Sequence, residues 1–227
     1  MSVGADIANV FKDVGAKVFI NNTEEYDFID AEVNAQVSNP FIREHMIEGT
    51  LPFNTNIKPG DIIRFETTDE RYLIVNFIPD IFENQVVAIS ATLYKCNVFA
   101  KIYREQETQI TDDVPMNQRH KRQVCWSKKN EGYFVFTSAL RGNTSEMLGT
   151  QDLGDITIKH NMAYLPSSVQ IRPKDRFYID KDEYYTVGDV EKRRFNNVSV
   201  ISLMTDTRHT NYCPDEDDSS VSDGGSS

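Results

Sequence analysis

One stretch of the chain is strongly basic: Arg119-His120-Lys121-Arg122, continuing through Cys125-Trp126 to Lys128-Lys129. It contains the chain's single tryptophan. Side chains of these types contact a phosphate backbone or an acidic patch on a neighbouring subunit, with an aromatic ring as anchor. Arg119, Lys121, Arg122, Trp126, Lys128 and Lys129 are accordingly the candidate partner-binding residues. The competing reading is a solvated loop that leads into a strand, because short Lys/Arg runs often mean no more than that.

Other candidate chemistry is sparser. His45, His120, His160 and His209 are scattered, none at the i, i+4 or His-x-His spacing that would favour a metal site. Cys96, Cys125 and Cys213 are odd in number, far apart and without a CxxC, so a disulfide framework and a zinc site are both poor readings. Three ordinary thiols are expected, with Cys96 in a strand-like, core-forming stretch. Asp61 and Asp175 recur at equivalent places beside a turn, which suits a turn-capping carboxylate better than a catalytic one. Gly-rich phosphate loops, GxSxG and HExxH are absent from the sequence. The expectation is a protein that is not an enzyme and uses no cofactor and no metal.

Composition narrows the partners. The 227 residues carry a formal net charge of −11, with a pI near 4.8. A field of that sign opposes generic phosphate-backbone binding by the molecule as a whole. No apolar run approaches the roughly 20 residues that span a bilayer, and Asp6, Lys12 and Asp13 interrupt the N-terminal stretch where a signal peptide would be apolar. A soluble protein made in a reducing cytosol is expected.

The elements that must position these residues come in two copies. Leu51-Pro52, Ile57, Pro59 and Asp61 recur at constant separation as Leu165-Pro166, Ile171, Pro173 and Asp175. Glu70-Arg71-Tyr72-Leu73-Ile74-Val75, Phe82 and Val86 to Ser90 are echoed by Glu183-Tyr184-Tyr185-Thr186-Val187, Phe195 and Val198 to Ser202. Each copy has a Pro-initiated turn, a short strand, a polar hairpin and two further strands. That spacing describes a small antiparallel barrel of SH3 or OB size.

The fold class predicted is therefore mainly β, with two related small antiparallel β-barrel units, a short N-terminal helix and a disordered acidic C-terminal tail. Ile7, Val10, Phe11 and Val14 make one apolar helical face over residues 1–16, closed by Gly15 in a left-handed cap. The first barrel is assigned to 17–97, with a long excursion between strands from Ser38 to Asn56 and a strand break at Pro79. Residues 98–130 are assigned to a linker or projecting loop, although Val98, Ala100 and Ile102 alternate as a strand would. The second barrel is assigned to 131–205, with Tyr133 to Phe136 in the place of Lys17 to Ile20. Residues 206–227, rich in Asp, Glu, Ser and Gly, are expected to be disordered.

The helix closed by Gly15 and followed by Lys17-Val18-Phe19-Ile20, then Ile57 to Ile63 and Ala91-Thr92-Leu93-Tyr94, resembles the sequences of tailed-bacteriophage head–tail joining and neck proteins. The resemblance covers roughly residues 5–95 and, more weakly, 160–205. It implies a connector-type virion structural protein, made in the host cytoplasm, that forms a ring between portal and tail. The partners it implies are other copies of the chain, portal or adaptor proteins and tail-terminator proteins, with non-specific contact with packaged DNA and none with a membrane. Family members generally carry one barrel, and the acidic tail is no part of their pattern. Two readings compete: an OB-like nucleic-acid-binding module that stacks bases on Tyr72, Phe82, Tyr184, Tyr185 and Trp126, and a baseplate or tail accessory carbohydrate-binding module.

Overall fold

A computed structural model describes residues 3–32, 46–108, 123–141, 158–180, 183–208 and 211–213. Helix α1 (Val3–Val14) leads into six strands, β1 (Ala16–Ile20), β2 (Tyr26–Glu32), β3 (Met46–Pro52), β4 (Ile62–Phe65), β5 (Arg71–Phe82) and β6 (Gln85–Lys95). They close into an antiparallel barrel in the order β1-β2-β3-β6-β5-β4. Six more strands follow: β7 (Val98–Thr108), β8 (Gln123–Arg141), β9 (Ile158–Pro166), β10 (Arg176–Asp180), β11 (Glu183–Phe195) and β12 (Val198–Thr205). They close in the corresponding order, β7-β8-β9-β12-β11-β10. Closure gives every strand two neighbours, although β5 beyond Leu73 and β11 beyond Thr186 run on with a partner on one side only.

The repeated turn explains why the same residues recur. In the first barrel the Lys58 N–H donates to the Asp61 carboxylate at 2.7 Å, the Gly60 N–H to the Ile74 carbonyl at 2.8 Å, and the Ile74 N–H to the Asp61 carbonyl at 2.9 Å. In the second, Arg172 N–H to the Asp175 carboxylate (2.8 Å), Lys174 N–H to Val187 carbonyl (2.7 Å) and Val187 N–H to Asp175 carbonyl (2.8 Å) repeat all three. Pro and Asp thus recur because each turn must satisfy the same backbone groups. The cores are equally parallel: Val18, Ile20, Leu51, Ile63, Ile74 and Leu93 fill the first lumen, and Ala100, Ile102, Leu165, Phe177, Val187 and Leu203 the second.

The two aspartates differ in their surroundings. Asp61 accepts from Asn21 Nδ2 at 2.7 Å in an exposed setting, whereas Asp175 is buried and holds Arg104 through two bonds of 2.9 and 2.8 Å. Asp61→Asn is expected to cost about 0.5–2 kcal/mol, the range of a lost capping bond. Asp175→Asn is expected to cost about 2–4 kcal/mol, because it also takes the charge from the buried partner of a bidentate pair with the half-buried Arg104. Urea titration of the two variants measures the difference, and equal losses would contradict it.

Several sequence expectations need correction. Within 98–130, Val98–Thr108 and Gln123 to Asn130 are not a linker or projecting loop but belong to β7 and the first part of β8, walls of the second barrel, which begins at Val98 and not at residue 131; 109–122 lie outside the described residues. Tyr133 to Phe136 lies on β8, the counterpart of β2, and β7 takes the place of β1. The Ser38 to Asn56 excursion contains β3, a full wall strand paired with β2 and β6. Pro79 does not break β5, which stays paired with β6 to Phe82. It is tolerated because β4 pairs only with Arg71 to Leu73, leaving the other edge of β5 without a ladder at Pro79. Gly15 does cap α1, its N–H donating to the Phe11 carbonyl at 2.9 Å, but without a left-handed backbone. A Cβ there would lie 2.5 Å from that carbonyl oxygen and 3.3 Å from Phe28 Cβ, so close packing is what calls for glycine.

The barrels pack against each other through unlike faces. Leu73, Val75, Ile62, Tyr94 and Cys96 of the first meet Val135, Tyr164, Phe195 and Val198 of the second. The Tyr94 and Tyr164 rings meet edge-on at 5.3 Å, and the Arg71 guanidinium lies 4.1 Å over the Tyr133 ring. At the rim Gly60 (φ +93°) meets Asn197 at the tip of the β11–β12 hairpin, and a Cβ on Gly60 would collide with the Asn197 carbonyl oxygen. Lys174 occupies the same turn position in the second barrel with φ +74°. The first copy therefore has glycine here chiefly because the other barrel sits on it.

Candidate functional site

The candidate basic residues are not gathered into one described surface. Arg119, Lys121 and Arg122 lie outside the described residues, as does His120. Trp126 is fully buried, so it is no exposed anchor. Lys128 and Lys129 are exposed on β8, with Lys128 Nζ 3.3 Å from Glu131 and Lys129 Nζ donating to Ser127 at 2.8 Å. Lys129 is the extra residue where the β7–β8 register shifts between Ile102 and Tyr103.

What surrounds Trp126 is a built cluster that the sequence did not advertise. The Arg176 guanidinium lies 4.2 Å over the indole and the Arg208 guanidinium 4.5 Å from it. Asp206 lies between the two cations, accepting from Arg176 Nε at 2.8 Å and from Arg208 Nε and Nη2 at 2.9 and 2.8 Å. Arg176 and Asp206 are buried. Residues 211–213 continue over the same face: Trp126 N–H donates to the Asn211 carbonyl at 2.8 Å, Cys213 N–H donates to the Trp126 carbonyl at 3.0 Å, and the Tyr212 ring packs 4.9 Å from Tyr103. Residues 206–208 and 211–213 thus lie on the second barrel as two pieces of a strap, which corrects the expectation of disorder for these residues; 209–210 and 214–227 lie outside the described residues.

The strap is fastened covalently. Cys125 and Cys213, 88 positions apart in sequence, form a disulfide, contrary to the expectation of three ordinary thiols. Only the fold brings them together, so spacing carried no signal. Cys96 is a free thiol between the barrels, and burial pushes it up to about 12, so little thiolate forms near neutral pH.

Burial works to raise the Asp206 carboxyl, but hydrogen bonds from Arg208 and Arg176 outweigh it and hold the group well below the usual carboxylate range. A folded-state pKa below the unfolded one stabilises the protein at neutral pH, and the benefit is lost as pH falls below about 4, toward the folded-state value. Thermal unfolding from pH 6 down to pH 2 should therefore show an acid-side fall that is shallower in Asp206→Asn. Parallel curves for the two proteins would contradict this.

The aromatics proposed as base-stacking platforms are dispersed. Tyr72 and Trp126 are buried, Tyr184 and Tyr185 are half-buried, and Phe82 alone is exposed. Phe82 belongs to a separate feature, the free end of the β5–β6 hairpin. Ile78, Ile81, Phe82 and Val86 are all exposed there around a turn in which Glu83 and Asn84 take positive φ. This apolar arm is the clearest contact element on the described surface. No group of three or more His, Cys, Asp or Glu among the described residues could hold a metal ion. No family model matches the chain, and no match was found among curated proteins or solved structures.

Proposed function

We propose that this protein is a bacteriophage virion structural component of the neck or tail-attachment region and acts by ring assembly without catalysis. The observation that carries the reading is the join between the barrels: two like units meet through unlike faces, the heterologous contact from which rings are built. The apolar β5–β6 arm supplies a further contact element, and the net charge of −11 suits a wall past which DNA slides without sticking. The sequence resemblance supplies the station, and the partners are further copies, portal or adaptor proteins and tail-terminator proteins, in the virion.

Gradient sedimentation of the full chain with purified portal and with purified tails tests the reading. Comigration with either is expected. A chain that sediments alone and shifts oligonucleotides would replace the assembly reading with nucleic-acid binding.

A further inference from the structure

The two barrels carry the same long hairpin with opposite charge. In the second barrel the β11–β12 hairpin sets its tip, Asn197, on Gly60 of the first and buries Val198 in the seam. Its remaining surface is strongly basic, for Lys192, Arg193 and Arg194 follow one another on β11 and all are exposed. In the first barrel the equivalent β5–β6 arm has no lysine or arginine from Asn76 to Ala88. It carries Asp80 and Glu83 among the exposed Ile78, Ile81, Phe82 and Val86. Among the described residues, no cation pairs with Asp80 or Glu83, and no carboxylate pairs with Lys192, Arg193 or Arg194.

The two elements do not meet within one copy. Arg194 lies 5.6 Å over the Phe195 ring, Phe195 is 6.3 Å from Tyr164, and Tyr164 meets Tyr94, which places the basic hairpin at the Tyr94 end of β6. The arm's turn is at the Gln85 end of the same strand, roughly 30 Å away at about 3.3 Å per residue. Their chemistry nevertheless matches. A guanidinium is flat and weakly hydrated, so it can lie on an aromatic ring such as Phe82 while its N–H groups donate to a carboxylate such as Glu83. The methylene stems of Lys192 and Arg193 can cover Ile81 and Ile78 at the same time. We infer that the β5–β6 arm of one copy docks on the basic side of the β11–β12 hairpin of the next, with Phe82, Asp80 and Glu83 meeting Lys192 and Arg193. Each copy offers one arm and one hairpin at separate places, so the contact is head-to-tail. This rests on the assembly reading and names its subunit contact.

Sedimentation velocity of the full chain over a concentration series tests this. The wild-type chain should self-associate at low salt and less so at high salt. Asp80→Asn with Glu83→Lys makes the arm basic, and Lys192→Glu with Arg193→Glu makes the hairpin acidic. Either variant alone should self-associate at least about tenfold more weakly, because like charges then face each other. An equimolar mixture of the two should associate again, since each arm then finds a hairpin of opposite charge. Phe82→Ser, at an exposed position, should weaken association while leaving thermal unfolding unchanged. A wild-type chain that stays monomeric, a mixture that fails to associate, or association undiminished by Phe82→Ser would overturn the inference. Comigration with portal or tails without this self-association removes the arm–hairpin contact and leaves the assembly reading; self-association through the arm without comigration does the reverse.

Discussion

Replacing Asp206 by alanine should lower the free energy of unfolding by about 3–5 kcal/mol, the range for removing one partner of a buried ion pair. Arg176 is fully buried and Asp206 accepts from it at 2.8 Å, so the substitution leaves a guanidinium in a low-dielectric site without its counter-ion. Arg208 loses its carboxylate as well, and with it the geometry that aligns it on Trp126 and Thr186. The loss should be concentrated in the second barrel. Hydrogen exchange on the variant should speed up in β10 and β8 before β1 to β6, while urea titration gives the total. A loss below about 1 kcal/mol would place the Asp206 network at an ordinary surface.

Gly60→Lys, which writes the second copy's residue into the first, should be comparably severe. An L side chain at φ +93° is strained by roughly 1–2 kcal/mol, and the new Cβ would meet the Asn197 carbonyl, a backbone atom that cannot swing aside. Overpacking of this kind adds about 1–3 kcal/mol. The barrels would have to part, so Tyr94–Tyr164 and the apolar seam of Leu73, Val75, Val135 and Val198 should loosen together. Lys174→Gly is the matched control. No other barrel rests on Lys174, so relief of backbone strain and the added unfolded-state entropy nearly cancel, and the change should stay within about 1 kcal/mol. Similar effects at the two sites would mean that the turn alone, and not the barrel contact, determines the need for glycine.

The repeat was legible because its signals are local. Pro59 and Pro173 preset a turn, Asp61 and Asp175 cap it, and Ile57 and Ile171 are buried in both copies, so residue type alone carries the information. The first strand of the second barrel was harder to see. Val98 to Ile102 alternate, but β7 then runs on through Arg104, Glu105, Gln106 and Glu107 in a polar extension paired with Thr108 to Lys101 against Gln123 to Glu131 of β8. Tyr133 to Phe136 is the more apolar run and so the stronger strand signal in sequence. The strap was illegible because its contacts form only through the fold: Cys125 lies on β8 and Arg176 on β10, whereas Asp206 and Cys213 follow β12. One trace was present, since Arg176 stands where the first copy has Ile62. A charged residue at a position that is apolar in its twin marks a face put to different use. For Arg119, Lys121 and Arg122 sequence remains the source of the partner-binding assignment, and Trp126 now belongs to the interior.

Electron microscopy of the full chain, alone and mixed with portal, tests the central claim most directly. Closed rings in which every copy contributes both barrels, seated coaxially on the portal, are the predicted result. Monomers that never form rings and leave the portal bare would contradict it.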